Sequence, residues 1–285
     1  TIEFLDLLKS EGFTGPVPFD WREEALAKRL FGADRVKEGV KALVTEWLKI
    51  TNRPGGPPLM YYPVDEIGNH ADRQKEFNHK AALIRQVLEA KIYCTVNKFD
   101  AGEKCVEGID YWCSNIPFTL DQEKYVRDHG KVYMRYGSHY TKDPRKARNS
   151  AGFGFFRRDA AAMYYWHYQH ICGDPFDDLD ANCREHCAAY PGPDGPIPTL
   201  DWEGVGEGVD DLRYINTLNL AIEQAKKRGG PAAAAAERAR GELKALLEAD
   251  TTTSAYDFMS KLSDDEFHGL RRKVVDLILL VSGAK

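Results

Sequence analysis

Long apolar runs are missing from this chain. No stretch approaches the roughly 20 residues needed to span a bilayer, and the most apolar late segment, Val274 to Val281, is short and carries Asp276. A membrane partner is therefore not expected. A long basic run is missing too. The 39 Lys and Arg stand against 44 Asp and Glu, for a net charge of -5, which argues against nucleic acid as the main partner. There is no P-loop, no dinucleotide glycine fingerprint and no Gly-x-Ser-x-Gly elbow, so no cofactor is expected. Cysteines are few for a disulfide scaffold but more than a cytosolic enzyme needs: Cys94, Cys105, Cys113, Cys172, Cys183 and Cys187. Cys105 with Cys113, and Cys172 with Cys183 or Cys187, lie close enough in sequence to pair. The chain opens at Thr1 without a signal peptide, so it is read as processed or as a piece of something longer. The cysteines favour a secreted or periplasmic protein.

What is present is a large globular core. Hydrophobic residues make up 43% of 285, enough for one big domain or one domain plus an appendage. Residues 2–11 read as a helix, and residues 14–19 as an extended, Pro-broken stretch that can form a first strand. Val36, Val40, Leu43, Val44 and Trp47 share one helical face. Further strands are expected at 59–66, 92–96, 109–113, 131–136 and 161–168. A helix through Phe77, Ala81, Ile84 and Leu88 and a capping box at Thr119 to Gln122 lie between them. Strands separated by helices or long connections imply parallel pairing. The fold expected is α/β, a (β/α)8-type barrel that is either incomplete or lacks its first strands, since eight strands need about 250 residues. Residues 1–200 are read as this TIM-barrel-like part. Residues 201–285 are read as a C-terminal helical extension packed on it, with helices from Val209 to Lys227, Ala232 to Glu248 and through Phe267 to Val281.

The stretch that draws attention is Leu59-Met60-Tyr61-Tyr62-Pro63-Val64-Asp65-Glu66. An apolar strand that ends in two carboxylates is costly if they are buried unpaired, and an α/β barrel keeps its chemistry at the C-terminal ends of its strands. An exposed loop acid with a salt-bridge partner is the plain alternative. Other candidates also sit at strand ends. Asn97 and Asn115 could bind hydroxyls, Tyr136 could donate to a ligand oxygen, and Trp112 could line a pocket. Trp166 is either a stacking platform or a core tryptophan. Arg148 could clamp a ligand hydroxyl or simply pair with an acid. Cys183-x-x-His186-Cys187, with His167 and His170 upstream, lacks a second ligand pair, so disulfide or free thiols are preferred to zinc. His139-Tyr140 reads as an exposed loop.

Two passages, YYPVDE at 61–66 and PIPTLDWEGVGEGVDDLRYI at 196–215, together resemble family 123 glycoside hydrolases. The second resembles that family's pattern P-S-L-R-W-E-x-x-R-E-G-x-x-D-x-x-Y, with its two arginines replaced by Asp201 and Gly206 while Trp202, Glu203, Glu207, Gly208 and Asp211 remain. The likeness runs over roughly residues 14–280. The family's N-terminal β-sandwich and first barrel strands are not visible, so a missing N-terminal portion or a homo-oligomer is a further expectation. The resemblance implies hydrolysis of a terminal β-linked N-acetylhexosamine (N-acetylgalactosamine-like) in an oligosaccharide or glycan. It implies substrate assistance: Asp65 orients the 2-acetamido group, Glu66 is the general acid, and Tyr62 joins the substrate-binding residues. The 196–215 segment is read as structural, with Glu203 or Glu207 pairing to barrel arginines. Two rivals stand beside this: a glycosidase using Glu66 with a separate carboxylate such as Asp110, and a non-catalytic carbohydrate-binding or structural protein on a degenerate barrel.

Overall fold

The computed structural model describes residues 2–13, 15–51, 58–116, 118–137, 143–177, 186–248 and 262–283. Its centre is an α/β half-barrel, an open sheet of six parallel strands whose order in space is their order in the chain: β1 Val17–Asp20, β2 Leu59–Tyr62, β3 Lys91–Val96, β4 Tyr111–Ser114, β5 Val132–Gly137 and β6 Met163–Tyr165. A closed barrel needs eight strands. Contacts divide the chain into two compact units, Thr1–Arg135 and Tyr136–Lys285.

In the first unit the helices are α1 Ile2–Ser10, α2 Glu23–Phe31, α3 Val36–Thr51, α4 Ala71–Ile84, α5 Phe99–Glu103 and α6 Leu120–Asp128. The capping box at α6 is formed, with Thr119 and Gln122 satisfying each other's backbone N–H groups. Helix α2 was not expected from the sequence. It packs on α3 through Ala27 and Phe31: a Cβ on Gly39 would lie 2.9 Å from Ala27 Cβ and 2.7 Å from the Phe31 ring. Strand register and the two-residue alternation of side chains sort the sheet into two faces. Tyr61, Ile92, Cys94, Val96, Trp112 and Tyr133 turn towards the helices: Tyr61 Oη donates to Val44 O of α3, and Tyr133 Oη donates to Glu123 of α6 at 2.9 Å. The opposite face carries Met60, Tyr62, Tyr93, Thr95, Tyr111, Cys113 and Met134.

Strand β1 is an edge by its own chemistry. Val17 and Trp21 send their N–H groups towards β2, to Pro58 O at 2.9 Å and Tyr62 O at 3.2 Å. Alternation then leaves the outward N–H positions to residues 16, 18 and 20, of which Pro16 and Pro18 have none.

Cys105 and Cys113 do not pair. Both are free and buried, because Cys113 lies on the face of β4 opposite Trp112 while Cys105 sits beside α5, on the helix side. Cys94 and Cys187 are also free, whereas Cys172 is disulfide-bonded. Cys183 lies outside the described residues, as do His139 and Tyr140. Among the described residues no group of three or more His, Cys, Asp or Glu is placed to hold a metal, and no helix is long and apolar enough to cross a membrane.

In the second unit α7 Pro144–Ala151 and α8 Phe153–Arg157 precede β6, and among the described residues three helices follow: α9 Leu200–Arg228, α10 Gly230–Glu248 and α11 Asp264–Ser282. They share an apolar core of Phe153, Leu218, Ile222, Ala236, Leu243, Phe267 and Val274. Helix α9 begins nine residues before the expected Val209, at the Thr199 cap, because its early glycines serve packing. A Cβ on Gly204 or Gly208 would overlap the carbonyl oxygens of Pro144 and Arg148 in α7.

Candidate active site

Strand β2 ends at Tyr62, not at the acids, since Pro63 has no N–H to continue the ladder. Asp65 and Glu66 therefore stand on the loop that follows the strand. The loop is fixed from several sides. Ile67 is fully buried and its N–H reaches Thr95 O at 3.4 Å, while Lys80 Nζ donates to Pro63 O at 3.1 Å and Gln74 Nε2 to Ile67 O at 3.4 Å. Gly68 N–H donates to Asn97 Oδ1 at 2.7 Å, and a Cβ on Gly68 would lie 2.5 Å from that same oxygen, so only glycine fits. Glu66 has φ 46°, the left-handed region that non-glycine residues rarely adopt. This break in the strand alternation frees the neighbouring acids from pointing to opposite faces.

Each carboxylate is held by neutral donors. Asp65 Oδ1 accepts from Tyr62 Oη and, at 2.6 Å, from Thr95 Oγ1. Glu66 Oε1 accepts from Asn115 Nδ2 at 2.5 Å and Oε2 from Asn69 Nδ2 at 2.9 Å. Asn97 Nδ2 supports Asn69 by donating to its Oδ1 at 2.5 Å. Asp65 is an exposed loop acid, as the plain alternative had it, but Arg73 Nη1 reaches only its backbone oxygen, at 3.4 Å, and no Lys or Arg among the described residues pairs with either carboxylate. The carbonyl oxygen of Asn115 is buried without a partner. Burial, and then the Asp65 carboxylate, push the Tyr62 phenol far above its ordinary value, so it stays a donor. Burial pushes the Cys113 thiol up to about 12 against the pull of Tyr93 and Arg135.

The structure thus brings Tyr62, Asp65, Glu66, Asn97 and Asn115 together at the C-terminal ends of β2, β3 and β4. Trp112 does not join them. It is fully buried on the helix side of β4, 5.9 Å from the Phe99 ring and 6.2 Å from Phe118, because alternation from Cys113 turns it away. Asp110 is at the other end of β4, in an ion pair with Arg85 at 2.9 Å and accepting from Ile92 N–H at 2.8 Å. It cannot partner Glu66, which removes the two-carboxylate rival built on it.

Tyr136, Arg148 and Trp166 belong to the second unit. Tyr136 lies on β5. Trp166 follows β6 instead of lying within it, is 45% exposed, and has its ring 4.0 Å from His167 and 5.7 Å from His170. Arg148 is 8% exposed and forks onto Asp211, with Nε at 2.7 Å and Nη2 at 3.0 Å. Arg271 of α11 also holds Asp211, at 2.6 Å, and reaches Glu207 at 2.8 Å. Of the acids at 196–215, Asp211 thus meets Arg148 of α7 and Arg271 of α11, and Glu207 meets Arg271, a C-terminal helix arginine instead of the barrel arginine expected. Trp202 of this segment packs edge-on against Tyr165 and Tyr168 at 5.9 and 5.8 Å.

Sequence reading missed Thr95 and Asn69. Thr95 had a signal: it is the polar member of Ile92-Tyr93-Cys94-Thr95-Val96, two residues before Asn97 and so on the same face. In sequence, no protein-family model matches this chain and no curated protein matches it.

Proposed function

We propose that the chain is a glycoside hydrolase that removes a terminal β-linked N-acetylhexosamine, galactosamine-like, from an oligosaccharide or glycan by substrate assistance. The observation that carries this reading is the adjacent pair Asp65 and Glu66, whose carboxylates meet no Lys or Arg among the described residues and are oriented by Tyr62, Thr95, Asn115 and Asn69. The YYPVDE resemblance to family 123 glycoside hydrolases points the same way. In this mechanism the substrate's own acetamido oxygen replaces an enzyme nucleophile, an exception to the two-carboxylate scheme.

The acetamido carbonyl oxygen attacks the anomeric carbon while the bond from that carbon to the leaving oxygen breaks. Glu66 delivers its proton to the leaving oxygen. Asp65 accepts a hydrogen bond from the acetamido N–H and stabilises the positive oxazolinium. Glu66 then takes a proton from water, whose oxygen adds to the anomeric carbon and reopens the ring with net retention. Asn97 keeps a second Nδ2 hydrogen, beyond the one given to Asn69, to offer to a sugar hydroxyl.

The test is a panel of nitrophenyl glycosides, including N-acetyl-β-galactosaminide and N-acetyl-β-glucosaminide. Wild type is expected to turn over one of these, and Glu66→Gln to lower kcat by about 10²–10⁴. Comparable turnover of a sugar without the 2-acetamido group would refute substrate assistance. Sugar binding without turnover would make the chain a carbohydrate-binding protein.

A further inference from the structure

We propose that Thr95 is the positioning residue that sets both carboxylates at once. This rests on the reading of Asp65 and Glu66 as the reacting pair. One hydroxyl, 4% exposed as a residue and on the same sheet face as Tyr62, touches three groups: Asp65 Oδ1 at 2.6 Å, the Tyr62 hydroxyl at 2.8 Å and the Glu66 backbone N–H at 2.8 Å. A threonine hydroxyl has one proton and two lone pairs. One lone pair takes the Glu66 N–H, and the proton goes to the charged acceptor, Asp65. The second lone pair faces Tyr62. Two hydroxyl protons serve three oxygen–oxygen contacts among Tyr62, Thr95 and Asp65. They are therefore arranged either as two donors converging on Asp65 or as a relay from Tyr62 through Thr95 to Asp65.

In both arrangements Thr95 fixes the carboxylate that would orient the acetamido group. Through the Glu66 amide it also fixes the residue whose left-handed backbone aims the general acid. The strand below supplies the rigidity. Thr95 lies in β3, paired in register with Cys113 of β4, and its carbonyl takes the Ile67 N–H. No other described side chain hydrogen-bonds to both Asp65 and Glu66.

Thr95→Val keeps the shape and β-branching and removes only the hydroxyl. Thr95→Ser keeps the hydroxyl. On the nitrophenyl substrate that wild type turns over, Thr95→Val is expected to lose about 100-fold in kcat, as a 1 Å misplacement of a reacting group does, with KM changed less than about threefold. Thr95→Ser is expected to recover most of that loss. If Thr95→Val fails to fold, Thr95→Ala carries the same expectation. A hydroxyl-free variant within about threefold of wild type, or a serine variant as slow as valine, overturns the proposal. Crystal structures of the three proteins separate this from the functional reading. If wild type hydrolyses no glycoside, the functional reading fails, and Thr95 is judged by position alone. Asp65 and Glu66 displaced in the hydroxyl-free variant but in place in Thr95→Ser support it, and unchanged positions overturn it.

Discussion

Replacing Asp211 by asparagine tests whether the acidic segment of α9 is there for packing. Asp211 is fully buried and takes three charged donors, Arg148 Nε at 2.7 Å, Arg148 Nη2 at 3.0 Å and Arg271 Nε at 2.6 Å. Removing one partner of a buried ion pair costs about 3–5 kcal/mol, because it leaves an uncompensated charge in low dielectric. The lower end applies here. Arg271 keeps Glu207 at 2.8 Å, and Arg148 keeps His268 Nδ1 at 3.2 Å and the Phe267 ring face at 5.0 Å. Asparagine also keeps one acceptor oxygen. A loss of about 3 kcal/mol lowers the melting temperature of a domain of this size by roughly 6–12 °C, read by calorimetry on the full chain. Asp72→Asn is the control: its partner is the exposed Lys75 at 3.2 Å, and such pairs contribute about 0–1 kcal/mol. If Asp211→Asn melts within about 2 °C of wild type, the second unit does not depend on this cluster. The segment would then need a functional explanation.

Two neighbouring glycines of α9 should respond in opposite directions. Gly208→Ala puts a methyl 2.9 Å from Ala151 Cβ and onto α7 backbone, costing about 1–3 kcal/mol by overpacking. Gly206→Ala meets nothing within 4 Å and should stabilise by about 0.5–1 kcal/mol through helix propensity; urea midpoints that moved together would contradict this. Glu23 is 2% exposed, and burial raises its carboxyl above the ordinary 4.5 despite the Arg22 amide donor at 2.9 Å. Its contribution to stability is thus full below about pH 4.5 and lost as pH rises through the raised value. Glu23→Gln should gain on wild type as the pH rises to neutrality, and a pH-independent difference between the two urea midpoints would refute this.

Much of the fold was legible because local chemistry and tertiary role agree. The strand runs at 92–96 and 131–136 are mostly apolar, β-branched or aromatic, and the Thr119 capping box states its helix start outright. What was illegible is where one residue does two jobs. Gly204 and Gly208 look like helix breakers but are the contact surface of α9, so the helix reads as starting late. In α2 only Ala27 among the apolar residues is fully buried, too little to give a periodic signal. Trp112 and Cys113 show the remaining difficulty. Adjacent strand residues face opposite sides, and nothing in Tyr-Trp-Cys-Ser says which side holds the helices. The candidate site was legible as far as its acids and the asparagines at strand ends. The hydroxyl that joins the acids sits inside a strand read as core.

Glu66 is where stability and activity can be set against each other. A glutamate at φ 46° pays a conformational cost of about 1–3 kcal/mol, and asparagine tolerates that region far better. Of the hydrogen bonds that Glu66 makes in return, the one from half-buried Asn115 Nδ2 at 2.5 Å is the one whose loss costs about 1 kcal/mol. Asn69 is exposed and regains water when released, and the Thr95 bond is to the backbone amide, which any residue keeps. Glu66→Asn should therefore leave the chain as stable as wild type or up to about 1 kcal/mol more stable, measured by urea unfolding, while abolishing glycoside turnover. A variant that is inactive and also more than about 1 kcal/mol less stable would reverse the argument. The carboxylate would then be holding Asn115 and the loop in place, and the left-handed backbone would be a by-product of packing instead of strain maintained for chemistry.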